Sequence, residues 1–146
     1  MGINFTIGNA KLESDPKDLS ACWYVEAKEL EEAPKFPNEF LTGSNNFSFS
    51  YLSFEDFISK SKIATKIDSP HPGIVAITPE LQKEFHNALK KRQKESTKPP
   101  GFIPWDAEDG DPICDKYDYI LAILIRFDFW ITWALKNCEY PAIFNT

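Results

Sequence analysis

Apolar and polar residues alternate from the start of the chain. Ile3, Phe5 and Ile7 fall on one side and Asn4 and Thr6 on the other, the period of a half-buried strand. Gly8-Asn9 breaks that pattern. Trp23, Val25 and Ala27 resume it, with Cys22, Tyr24, Glu26 and Lys28 opposite. The polar stretch between, residues 9–19, reads as a hairpin loop, so two antiparallel strands are predicted. Periodicity dissolves over residues 31–46, where Pro34, Pro37, Gly43 and Ser44-Asn45-Asn46 interrupt the chain while Phe36, Phe40 and Leu41 supply apolar anchors. That combination predicts an ordered loop pinned to the body. Phe47, Phe49 and Tyr51 alternate briefly. Ser53 is then placed to cap a helix starting at Phe54, with Phe54, Phe57 and Ile58 as its buried face.

Further along, Pro70-His71-Pro72-Gly73 marks a turn and residues 74–77 a short apolar run. Thr78-Pro79-Glu80 combines a capping hydroxyl, a proline at the first helical position and an acid in the first turn, so a helix is predicted from there to about Glu95. Leu81, Phe85, Ala88 and Leu89 give it one apolar stripe. Pro99-Pro100-Gly101 ends that segment, and Phe102-Ile103-Pro104-Trp105 forms a second anchored irregular stretch.

The strongest signal is a long, very apolar helix over residues 117–138, opening near 113–115. Ile120, Ile123, Leu124, Phe127, Trp130, Ile131, Ala134 and Cys138 share one half of it. Leu121, Ile125, Phe129 and Trp133 form a second stripe, interleaved with Asp118, Arg126, Asp128, Thr132 and Lys136. A helix apolar on more than one side is buried on more than one side. A membrane span is the rival reading. Arg126 and Asp128 at the middle of residues 119–135 would each cost about 2.5–3.5 kcal/mol there, which argues against it. The fold class expected is α+β: a single domain over residues 1–146, with a small antiparallel sheet packed on a long C-terminal helix, two shorter helices and ordered irregular loops.

Composition supports folding without staples, because 12 Phe, 5 Tyr and 4 Trp supply large buried area. The net charge of −6 argues against a nucleic-acid binder. Acidic residues cluster in residues 1–40 and 106–118, and residues 83–98 hold the one basic stretch, which ordinarily reads as a solvated helix face. Cys22, Cys114 and Cys138 lack any CxxC spacing, so neither a disulfide framework nor a zinc site is indicated. The first ten residues lack the basic start and apolar run of a signal peptide, and Ile3-Asn4-Phe5 reads better as a strand than as part of a myristoylation signal after Gly2. A cytoplasmic setting is expected.

Little local chemistry stands out. His71 and His86 are the only histidines, no nucleophile signature surrounds the cysteines, and no glycine-rich phosphate loop occurs. Asp106-Ala107-Glu108-Asp109-Gly110-Asp111 fails the calcium-loop formula because glycine falls at the fifth position and no glutamate closes it. An acidic loop ahead of a helix N-terminus is the simpler account. No catalytic residue, metal or cofactor is expected. The Gly43–Asn46 loop could hold an anion or ribose, though turns commonly carry these residues. Arg126, flanked by Trp130 and Trp133, could clamp a phosphate beside stacking indoles. The alternative is an Arg paired with Asp118, Asp115 or Asp128 under aromatic cover.

The series Ile7-Gly8-Asn9-Ala10, Ala33-Pro34 with Phe36-Pro37, Thr42-Gly43, Ser50-Tyr51, His71-Pro72-Gly73, Pro100-Gly101-Phe102 and Trp133-Ala134-Leu135-Lys136-Asn137-Cys138 with Pro141-Ala142-Ile143 resembles a family of small phage and prophage proteins without assigned chemistry. The resemblance implies an accessory protein acting against host defences, either by sequestering a nucleotide signal or by blocking a host protein. The first reading expects a non-enzymatic protein holding a small nucleotide-like ligand with Arg126, Trp133, Trp130, Trp105, Asn45, Asn46 and His71. The second expects an inhibitor that docks through an acidic or apolar surface. Either the pinned loops or a second copy of the chain, forming a homo-oligomer, must cover the second stripe of the long helix.

Overall fold

A computed structural model describes residues 2–14, 21–39, 43–104 and 106–146. Among these, five strands form one antiparallel sheet: β1 (Gly2–Ser14), β2 (Ala21–Val25), β3 (Asn46–Ser50), β4 (Gly73–Ala76) and β5 (Pro141–Asn145). Three helices pack on one face of it: α1 (Tyr51–Ser61), α2 (Pro79–Glu95) and α3 (Tyr119–Asn137). The small α+β fold expected from periodicity is the one observed.

β1 organises the sheet. It runs on through Gly8-Asn9 instead of turning there, because that dipeptide marks a change of partner. Thr6 has Asn46 on one side and Phe144 on the other, so β3 and β5 flank β1. Beyond Gly8 the β3 side is taken over by β2, with Ala10 opposite Val25 and Leu12 opposite Trp23. A Cβ on Gly8 would come within 3.1 Å of Val25 Cγ1, so glycine admits the incoming strand. The Asn9 side chain accepts from the Tyr140 N–H at 2.8 Å and ties the start of β5 to the other edge. β5 carries no strand signal in the sequence. Its apolar run Ala142-Ile143-Phe144 shows no alternation, and its burial does not alternate either, since Ala142 and Ile143 are both buried.

Helix starts follow local chemistry with small shifts. Ser50, not Ser53, caps α1, accepting from the Ser53 N–H at 3.1 Å, so β3 passes directly into α1. α2 begins and ends as expected, capped by Thr78. α3 starts at Tyr119, later than the predicted 113–117, because Asp118 is held extended by its N–H to the Pro99 carbonyl at 2.8 Å. The Asp118 carboxylate then caps the helix at the Leu121 N–H. Ahead of it, Asp111 caps a single 3-10 turn, Pro112–Asp115, which is the helix-start role expected of the acidic loop.

The core lies between the inner sheet face, carrying Ile3, Phe5, Ile7 and Ile143, and the helices, which contribute Phe57, Phe85, Leu124, Phe127 and Ile131. Phe127 sits at its centre. Its ring lies 5.8 Å from Phe5, 4.8 Å from Phe47, 5.7 Å from Phe57 and 4.9 Å from Phe85, so one side chain joins the sheet and all three helices. Truncation there would remove contacts on every side at once. Phe127→Ala is expected to lower unfolding free energy by about 3–5 kcal/mol, measured by urea titration against the parent chain.

Candidate functional site

The residues singled out by sequence separate into three places. Arg126 points from α3 into the corner where β2, β1 and β3 meet. Its side chain is 6% exposed and faces Glu39, 2% exposed, with Nη1 and Oε1 at 2.7 Å. The contact lies off the N–H direction, so it acts as an ion pair more than as an aligned hydrogen bond. Nη2 donates to the Ser44 carbonyl at 2.7 Å and reaches the Asn46 carbonyl at 3.4 Å. The guanidinium carbon sits 4.5 Å from the Phe47 ring centroid. Burial pushes the Arg126 pKa down and the Glu39 carboxyl up, each partly opposed by the charge of the other. None of Asp118, Asp115 or Asp128 pairs with Arg126; Asp118 is bound to Arg92 and Asp128 meets His86.

Asn45 fills the seam that Arg126 backs. Its backbone carbonyl accepts from the Ile7 N–H and its N–H donates to the Lys28 carbonyl. Its amide donates to the Ile7 and Glu26 carbonyls at 2.9 and 3.0 Å, and its Oδ1 accepts from the Lys28 N–H at 2.7 Å. This one residue replaces the ladder bonds missing where β3 stops and β2 begins. Asn46 donates to Thr6 Oγ1 at 2.8 Å. Gly43 adopts φ +76, with the Leu30 carbonyl only 2.8 Å from where its Cβ would stand, so the turn into the seam requires glycine. The two irregular segments pin each other: Phe102 N–H donates to the Pro37 carbonyl at 3.0 Å, and the Asn38 amide donates to the Phe102 carbonyl at 2.8 Å. Arg126, Asn45 and Asn46 thus come together, but their polar groups answer one another.

His71 stands apart. Its Nδ1 lies 2.6 Å from Asn145 Oδ1, on the β5 side of β1. The Asn145 amide donates to the Pro70 and Gly73 carbonyls at 2.9 and 3.3 Å. Oδ1 is therefore the acceptor, and His71 supplies the proton. Trp105 lies outside the described residues, as do the anchors Phe40 and Leu41.

Trp130 is 1% exposed and belongs to the core. Trp133 meets it edge-on at 5.4 Å but stays half-buried, with Lys28 Nζ 5.5 Å from its ring centroid. Ile125, Phe129 and Trp133, the second stripe of α3, line an open trench of about 670 Å³ completed by Pro34. Glu32 and Asp128 stand on its margins, with Lys136 and Asn137 towards one end. The loop carrying Pro34 covers this stripe only in part. A separate apolar surface lies on the outer face of the sheet, where Leu12 is 53%, Trp23 50% and Tyr140 57% exposed.

Sequence reasoning missed the partner of Arg126 and the ion pair at the start of α3. There Arg92 Nε and Nη2 donate to Asp118 Oδ2 and Oδ1 at 2.8 and 3.0 Å, and Ser96 Oγ donates to Oδ2 at 2.7 Å. Burial pushes the Asp118 carboxyl up, but these bonds and the Leu121 N–H outweigh it and hold the pKa below its ordinary value. Among the described residues, no group of three His, Cys, Asp or Glu could hold a metal ion, and no helix is long and apolar enough to cross a membrane. The chain matches no protein-family model, no curated protein and no solved structure.

Two outcomes follow for stability. Glu39→Gln should cost about 3–5 kcal/mol by leaving the Arg126 charge buried and unpaired, and adding Arg126→Met should cost less than the two single changes together. Urea titrations of the three variants test this. For Asp118, the unfolded chain takes up its proton first on acidification. Its stabilisation is therefore complete above the unfolded value of ~3.9 and is lost as pH falls below it towards the depressed native pKa. Asp118→Asn should flatten that part of the acid-unfolding curve, while stability still changes with pH above it.

Proposed function

We propose that the protein is a non-enzymatic binding protein whose partner is another protein, engaged through the trench along α3. The observation carrying this reading is the incompletely covered stripe of Ile125, Phe129 and Trp133 beside Pro34. Large apolar side chains in an open concavity fit the profile of a binding hot spot, in which Trp is enriched. Glu32, which forms no ion pair among the described residues, favours a partner that sets a Lys or Arg beside its apolar anchor, while Asp128 meets His86 and Lys136 stands at the far end.

The phage resemblance supplies the setting, an accessory protein that occupies a basic, functionally important surface of a host protein in the cytoplasm. The alternative of a nucleotide-like ligand clamped by Arg126 has less support, since Glu39 balances that charge and backbone carbonyls take its donors. A second copy of the chain is the competing occupant of the trench.

Peptide display against the immobilised protein should select sequences with an aromatic or long aliphatic residue next to Lys or Arg. Binding of the selected peptides should fall at least tenfold in Trp133→Ala and weaken with added salt. Peptides indifferent to Trp133→Ala would count against the trench. Trp133-dependent self-association in sedimentation, with no peptide selected, would assign it to a second copy.

A further inference from the structure

We infer that the groove between the C-terminal halves of α1 and α2, at the foot of α3, is a binding site for a nucleoside phosphate. Two hollows of about 380 and 360 Å³ adjoin there and share Lys60, Arg92 and Glu95. One is walled by Tyr117, Tyr119 and the part-exposed Ile103, with Lys98 at its edge. The other is walled by Ser61, Lys62 and Lys91. One end thus offers rings and the other cations; a flat base would take the Tyr119 face from Lys60, whose Nζ lies 5.9 Å from its centroid, and leave that ammonium to an anionic tail.

The charges in the groove are arranged for an anion despite the acidity of the whole chain. Lys62, Lys91 and Lys98 form no ion pair among the described residues, whereas Lys60 meets the exposed Asp56 at 3.1 Å. Three carboxylates face the same space, and two are occupied. Glu84 accepts from the Ala64 and Thr65 N–H groups and the Thr65 hydroxyl, at 2.6, 2.9 and 2.7 Å. Asp118 is taken by Arg92, Ser96 and the Leu121 N–H. Arg92 matches the Asp118 charge, but the partners of Glu84 are neutral, so Glu84 and Glu95 both oppose an anion, against Lys60, Lys62, Lys91 and Lys98.

Arg92 is the built element. Asp118 grips it through Nε and Nη2, which fixes the guanidinium plane and leaves Nη1 without a partner among the described residues, on a side chain lining both hollows. A guanidinium already held in place loses little freedom when it takes a phosphate oxygen. Beside it, Ser61 Oγ is buried with no hydrogen-bond partner in the wall of the cationic hollow. Helix dipoles favour cations at C-termini, which accounts for Lys60 and Arg92 on their own helices. They do not account for Lys98 beyond α2, the orphan hydroxyl or the tyrosine wall.

Calorimetric titration of the full chain with adenosine 5′-diphosphate at low salt tests this. Saturable one-to-one binding is expected, weakened at least tenfold by the surface pair Lys91→Ala and Lys98→Ala and unchanged by Trp133→Ala. Pyrophosphate should bind at least tenfold more weakly than the diphosphate, because it leaves the tyrosine wall empty. Failure of the diphosphate to bind at millimolar concentration, or binding indifferent to the two lysines, would overturn the site. Equal affinity for pyrophosphate would overturn the nucleoside assignment. Because Trp133 lies elsewhere, either failure leaves the trench reading untouched.

Discussion

A buried arginine organises this molecule. β1 exchanges one partner strand for another part-way along a single edge, and such an exchange leaves backbone groups without ladder partners. Asn45 supplies the missing bonds, and Arg126 holds the carbonyls on both sides of Asn45 from the helix layer. Glu39 balances the charge that this requires in a site closed to water. The seam, the irregular segment that delivers Asn45 and the position of α3 against the sheet are therefore one problem with one solution. The aromatic core joins the same place, because Phe47 touches both Arg126 and Phe127.

Much of the fold was legible from local pattern. Thr78-Pro79-Glu80 announces α2 because a cap, a fixed φ and an acid in the first turn all act within three residues. Alternation reveals one face of β1 because Ile3, Phe5 and Ile7 all enter the aromatic core. β5 was not legible, since Ala142, Ile143 and Phe144 are apolar in succession and leave no alternation to read. Nor was the extension of β1 through Gly8-Asn9, where a turn signal marks a change of partner. The pairing of Arg126 illustrates the general limit. Its helical neighbours offered three aspartates, yet the carboxylate that reaches it comes from a loop without period, and only tertiary structure selects it.

The same limit shaped the functional reading. Arg and Trp on one helix resemble a ligand clamp in sequence, but placement divides them: Arg126 and Trp130 turn inward, and Trp133 remains at an open surface. The second stripe of α3, legible as an excess of apolar residues, is the feature whose cover stays incomplete. The basic stretch of residues 83–98 read as a solvated face, and along much of its length it is one. At the end of α2, where α1, Tyr117 and Tyr119 approach, it borders two adjoining hollows.

The central claim is that Arg126 serves the strand seam and leaves function to the open surfaces. Native-state hydrogen exchange on Arg126→Met tests it most directly. The expected result is a selective loss of protection at the Ile7, Lys28 and Asn45 amides, which close the seam, with Phe85 and Leu89 in α2 still protected. Seam amides as slow to exchange in the variant as in the parent chain would contradict the claim.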